Sequence, residues 1–254
     1  MSLKLKIGRN KLEAILDLPK QKAPPPPTII IVHGFGGEGL ESEFQKIAEK
    51  LRSKGYVVLR FLFSGYKNGD LRKQSVSRQV SELKSVINFL KSQKVDKKRI
   101  GIIAQSLGSS TTILLNDQHI KSVVFFSPCI YIKKLFSETF GKNGVKEIEN
   151  LGFTIITRKR TGQKRKIGLS FWNDAKKINK ITRKQIKKFK APLLILHGTA
   201  DEAIEYKQAQ FLFKFANQPK KIKAFKGGKH VFIRDPRFRK ETIKLIFKFF
   251  RKYL

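Results

Sequence analysis

The 254-residue chain carries 55 Lys and Arg against 19 Asp and Glu, a formal charge of +36, yet 40% of it is apolar and 21 residues are Phe. That apolar content supplies a full core and excludes a disordered chain. The single Cys excludes an internal disulfide and, with only four His, leaves little for a structural zinc site, so no metal is expected.

No apolar run approaches the roughly 20 residues that a bilayer crossing needs. The start, Met1-Ser2-Leu3-Lys4-Leu5-Lys6, alternates polar and apolar and lacks the apolar stretch of a signal peptide, which makes the cytoplasm the expected location.

In chain order, Leu3–Ile7 and Leu12–Leu16, separated by Gly8-Arg9-Asn10-Lys11, read as a β-hairpin. Pro24 to Pro27 form a short stiff connector. Thr28-Ile29-Ile30-Ile31-Val32 is a β-branched run of the kind that a strand buried on both faces requires. From there strands and helices alternate. Phe44, Ile47, Ala48 and Leu51 have helical spacing within Glu43 to Ser53, and Gly55 stops that helix. Further strands are expected at 56–61, 99–104, 123–126, 193–196 and 222–225, and further helices at 76–90, 107–115, 208–215 and 240–250. Such alternation predicts an α/β fold with a mostly parallel central sheet and helices on both faces.

Residues 130–190 break the rhythm. They are about twice as long as a single crossover needs. They contain a hairpin signal of their own, Phe153–Thr157, then Thr161-Gly162, then Lys166–Leu169. With 18 Lys and Arg against 4 Asp and Glu, the segment holds +14 of the charge. It reads as a basic lid inserted into a core made of 1–129 and 191–254.

Ala104-Gln105-Ser106-Leu107-Gly108 lies between an expected strand and the helix that follows it. A sharp strand–turn–helix exposes the Ser106 hydroxyl at the strand's carboxyl end and demands small residues two before and two after it, which Ala104 and Gly108 are. His33-Gly34-Phe35-Gly36-Gly37 follows the first long strand. This turn is expected to aim the backbone N–H of Phe35 into the cleft that receives the N–H of Leu107. Two such donors hold a developing oxyanion, at roughly 3 kcal/mol each in the transition state. The His33 side chain itself is read as structural, bonded to backbone. Asp201 in His197-Gly198-Thr199-Ala200-Asp201 falls in the loop beyond a strand end, with Glu202 and Glu205 as nearby alternatives. His230 follows the last strand beside Gly227 and Gly228, while His119 receives no role. Ser106 as nucleophile, His230 as base and then acid, and Asp201 as the group orienting the imidazole make a chemically complete set.

The order Ser…Asp…His on this pattern resembles the α/β-hydrolase superfamily over nearly the whole chain. The nearest likeness is to feruloyl or cinnamoyl esterase-like members, with monoacylglycerol lipases and serine aminopeptidase-like members as neighbours. The likeness rests on His33–Gly37, the stretch 60–65, the Ser106 elbow, Pro192–Asp201 and Gly228–Phe232. Ala104 departs from the glycine usual at its place. The resemblance implies a serine esterase without cofactor, acting on small or aromatic acyl esters and, by the same pocket logic, on aromatic polyesters. It also implies a compact lid of a hairpin and short helices that shapes the acyl pocket. Gly34, Gln105 and Trp172 are the residues expected at that pocket. A lipase, a peptidase or a polyanion-binding protein on the same fold are the alternatives.

The cationic stretch Arg158–Lys166 invites a polyanion. Lysine is abundant throughout the chain, however, so compositional bias is the simpler account, and only weak, salt-sensitive polyanion binding is expected. No specific protein partner is implied.

Overall fold

The computed structural model describes residues 1–20, 24–37, 40, 43–93, 95–158 and 161–254, and for Asn179 only the backbone. Strands β1 (Ser2–Ile7) and β2 (Leu12–Asp17) pair antiparallel around the turn at Gly8, and β2 pairs antiparallel with β4 (Val57–Phe61). From β4 onward the sheet is parallel. It runs through β3 (Thr28–Val32), β6 (Ile100–Gln105), β7 (Ile120–Phe126), β10 (Leu193–Gly198) and β11 (Lys220–Phe225), in the order β1-β2-β4-β3-β6-β7-β10-β11.

The continuous apolar runs make sense because each central strand is covered twice. Ile29, Ile31, Ile103, Leu194 and Leu196 face one core, closed by α1 (Glu43–Ser53) and α7 (Pro236–Tyr253). Ile30, Val32, Ile102, Leu193 and Ile195 face the other, closed by α2 (Val76–Lys91), α3 (Leu107–Leu115) and α6 (Tyr206–Phe215). Helix starts carry their own signals. Ser75 caps α2 by accepting from Arg78 N, and Asp235 caps α7, with Pro236 at the first helical position. This is the α/β architecture that the alternation predicts.

Between β7 and β10 lie α4 (Ile132–Leu151), β8 (Phe153–Thr157), β9 (Lys164–Gly168) and α5 (Leu169–Gln185). The helices expected to be short run 20 and 17 residues, α4 being broken at Gly141 (φ 64°, ψ 177°). The segment is stitched to the core. Strand β9 pairs antiparallel with β8 on one side and parallel with β5 (Asp70–Leu71) on the other. Ser77 donates N–H and hydroxyl to the Asp174 carboxylate at 2.6 and 2.8 Å. Of the basic stretch at the hairpin tip, Lys159 and Arg160 lie outside the described residues.

Candidate active site

Ser106 sits at the β6–α3 junction with φ 50° and ψ −121°. An L-residue there carries backbone strain of about 1–3 kcal/mol. The surroundings impose it: Ser106 N donates to Phe126 O at 2.9 Å, while Ser106 O accepts from Ser109 N at 3.0 Å and Cys129 N at 3.2 Å. Gly108 has to be glycine, because a Cβ would stand 2.7 Å from the carbonyl oxygens of both Val32 and His33. The methyl of Ala104, where the elbow usually has glycine, is absorbed into the core on the α2–α3 side of the sheet.

The turn after β3 packs straight onto the serine. A Cβ on Gly34 would lie 2.8 Å from Ser106 Cβ and 3.0 Å from Gln105 O. His33 is structural, as the sequence reading holds. Its Nδ1 lies 2.7 Å from Gly34 O and its Nε2 accepts from Phe63 N at 3.0 Å, which requires the neutral Nδ1–H tautomer. Burial drives its pKa down to about 4. Gly34 O also accepts from Gly37 N at 3.0 Å, and Phe35 O accepts from Arg165 Nη1 at 2.9 Å. Leu107 opens α3 beside Ser106 and is buried.

Asp201 and His230 come from different loops and meet. His230 Nδ1 lies 2.8 Å from Asp201 Oδ2 and 3.0 Å from Oδ1. Two glycines let those loops touch: a Cβ on Gly198 would stand 2.1 Å from Gly228 O, and Ala200 N donates to that same oxygen at 2.9 Å. Asp201 Oδ1 also accepts from Ala203 N at 3.0 Å and Ile204 N at 2.8 Å. Burial by itself would raise the Asp201 carboxyl, but hydrogen bonds from His197 and His230 hold it well below the usual carboxylate range. Glu202 and Glu205, the sequence alternatives, pair instead with Lys229 and with Lys134 and Lys207.

A cavity of about 800 Å³ opens between the inserted segment and these loops, with Phe35, Gly36, Leu135, Phe140, Arg165 and Glu202 in its wall. Phe35 continues into an aromatic cluster with Phe136 (5.1 Å between centroids) and Phe171 (5.7 Å). Trp172, expected in the pocket, is absent from the described lining. Its indole N–H donates to Glu149 Oε1 at 2.7 Å and its ring packs against Phe140, so it is buried within the inserted segment, in packing continuous with the core on the α2–α3 side of the sheet. Gly34 and Gln105, the other two residues expected there, are also absent from the described lining, as are Ser106 and His230. Gln105 is buried beside Ser106, and Gly34 packs on that serine from the turn after β3.

Two contributors escape the sequence reading. His197 approaches Asp201 with Nε2 at 3.1 Å, a contact across a loop that local spacing does not announce. Arg165 stands in a run of solvent cations, yet the period-2 rule puts it on the face of Ile167, and the burial of β9 alternates accordingly. That alternation was the available signal.

An eight-stranded sheet of this order, with a strained serine, an acid and a histidine beyond the ends of β6, β10 and β11, defines an α/β-hydrolase fold. The family described as "Serine aminopeptidase, S33" (Hydrolase_4) matches residues 23–237, and the chain belongs to it. Among solved structures, Est1E from Butyrivibrio proteoclasticus aligns with a TM-score of 0.73 at 23% identity, covering 97% of each chain. The esterase domain of a Rhodothermus marinus protein aligns at 0.71 and 19% identity, over 100% of this chain and 98% of that one. A monoacylglycerol lipase from Paleococcus ferrophilus aligns at 0.71 and 19%, over 96% and 99%. No curated protein matches the chain.

Proposed function

We propose that the protein is a serine carboxylic-ester hydrolase working through an acyl-serine intermediate. The observation that carries this reading is the His230–Asp201 pair, at 2.8 and 3.0 Å, on the strand-end surface that also holds strained Ser106. With Nδ1–H given to Asp201, His230 keeps Nε2 free to take the Ser106 proton. The serine oxygen then attacks the ester carbonyl, and the oxyanion is met by the N–H groups of Phe35 and Leu107. His230 returns the proton to the departing alcohol, and water repeats the sequence to release the acid.

The aromatic wall at Phe35 and Phe140 favours small or aromatic acyl groups, feruloyl esters first and aromatic polyesters by the same fit. The segment at 130–190 acts as the lid that shapes this pocket. The family description keeps a peptidase in view as the second reading. The charge of +36 gives weak polyanion adhesion, which should fade between about 50 and 500 mM salt.

The test is hydrolysis of p-nitrophenyl acetate, butyrate and decanoate, methyl ferulate and an aminoacyl p-nitroanilide by wild type and Ser106→Ala. Turnover abolished in the variant, greatest on the short and feruloyl esters, is expected. Preference for decanoate indicates a lipase and preference for the anilide a peptidase. Equal rates in both proteins overturn the serine assignment.

A further inference from the structure

Arg165 projects from β9 of the inserted segment with only 2% of its surface exposed, a placement that a guanidinium takes up only against well-matched partners. Its Nη1 donates to Phe35 O at 2.9 Å, its plane lies over the Tyr66 ring at 5.1 Å, and its Nε donates to Gln163 Oε1 at 3.3 Å. Its Nη2 leaves no room beside Gly37, where a Cβ would stand 2.9 Å away. We propose that Arg165 is a positioning residue of the oxyanion turn, holding the Phe35 backbone in place from the inserted segment. The proposal rests on the reading of Phe35 N–H as an oxyanion donor.

The turn needs such a hold. Gly34, Gly36 and Gly37 surround Phe35, and glycines confer little rigidity of their own. The carbonyl preceding Phe35 N is tied by His33 and Gly37 N, and the carbonyl following it is tied by Arg165. With both carbonyls anchored, the Phe35 N–H loses its freedom to rotate out of the cleft.

The same network reaches the second donor. Tyr66, whose ring lies 4.7 Å from that of His33, accepts at its hydroxyl from Gln79 Nε2 at 3.0 Å. Gln79 Oε1 accepts from Thr111 Oγ1 at 3.1 Å, and Thr111 Oγ1 lies 3.4 Å from Leu107 O. A buried chain thus runs from the hairpin of the inserted segment through Tyr66 to the start of α3. It ties the Phe35 turn to the first turn of α3, which Leu107 opens.

The experiment measures kcat and KM on p-nitrophenyl butyrate, and inhibition by phenylboronic acid, whose tetrahedral serine adduct occupies the oxyanion position. Wild type, Ser106→Ala, Arg165→Ala and Arg165→Lys are compared. For Arg165→Ala the expected result is a loss of kcat on the order of 100-fold, with KM little changed and boronate affinity lowered in parallel. Millimolar guanidinium should restore part of that kcat. Arg165→Lys keeps a buried cation but lacks the fork that spans Phe35 O and the Tyr66 ring, so it should lose kcat as well, which guards against misfolding of the alanine variant. Turnover that survives Ser106→Ala overturns the assignment of Ser106 as nucleophile and this proposal with it. Turnover that Ser106→Ala abolishes but both Arg165 variants retain overturns the proposal alone, as does a kcat loss without weaker boronate binding.

Discussion

His197 Nε2 lies 3.1 Å from Asp201 Oδ2, so one carboxylate is held between two imidazoles, that of His230 on one side and that of His197 on the other. The same Nε2 lies 2.9 Å from Ile204 O, while Nδ1 is buried and has no hydrogen-bond partner among the described residues. Nε2–H is therefore the donor, shared between Asp201 and the backbone of the loop that follows it. His197 ties the acid to its own loop, and Asp201 in turn orients His230.

Asp201→Asn should fold and fail. An amide oxygen still serves Ala203 N and Ile204 N, but an amide N–H facing His230 Nδ1 forces the wrong tautomer, and kcat should drop about 10⁴-fold. Asp201→Ala should show the same loss and also forfeit about 2–3 kcal/mol of stability, because two backbone N–H groups lose their acceptor. Ester kinetics and thermal melts of the pair separate the two effects.

Gly34→Ala and Gly108→Ala should both be costly, for different reasons. The new methyl at Gly34 meets the Ser106 side chain at 2.8 Å and should cut activity before stability. At Gly108 it meets two carbonyl oxygens at 2.7 Å that cannot retreat without moving β3, so stability should fall by about 1–3 kcal/mol. Kinetics that treat the two variants alike would count against the packing of the turn on the serine.

Ser106→Gly should be inactive and more stable than wild type. Glycine tolerates φ 50°, so releasing the strain should gain about 1–2 kcal/mol and raise Tm by several degrees. Ser106→Ala keeps a Cβ and should not gain in this way. Differential scanning of the two variants side by side reads out the difference.

Acid should destabilise the fold in two stages. The folded pKa of His33 is lowered to about 4 from 6.5, so between those values the unfolded chain binds a proton that the folded protein refuses. Stability is therefore complete above about pH 6.5 and falls with pH, by about 3 kcal/mol on reaching pH 4 at about 1.4 kcal/mol per unit. Asp201, its folded pKa depressed, contributes stability that is present above the ordinary carboxylate range and lost on further acidification. Urea unfolding at pH 7, 5.5 and 4.5 should show the first stage in wild type and a flatter profile in His33→Gln. Identical slopes would refute the assignment.

How much of this is legible in the sequence depends on whether the cause is local. β-branched runs announce doubly covered strands, and a serine between small residues announces the elbow, because the constraint acts within a few residues. Asp201 and His230 fall at strand ends by spacing, and the structure brings those two side chains together. The two-residue β5 has no signal of its own, since it exists only as the partner of β9. Trp172 misleads because an aromatic near a cleft and an aromatic in a small core look the same until Glu149 is seen to take its N–H. Arg165 hides among neighbours that point the other way.

Among the described residues, the eight-stranded sheet ends in two strands with one open side each, β1 and β11. An unpaired strand edge is a template on which a second molecule can add, and lysine is the side chain that most effectively spoils it. Lys4 and Lys6 line β1, and Lys220, Lys221 and Lys223 line β11. A lysine-rich chain thus guards both rims of its larger sheet, and acetylating or neutralising those five lysines should convert a self-avoiding molecule into one that stacks edge to edge.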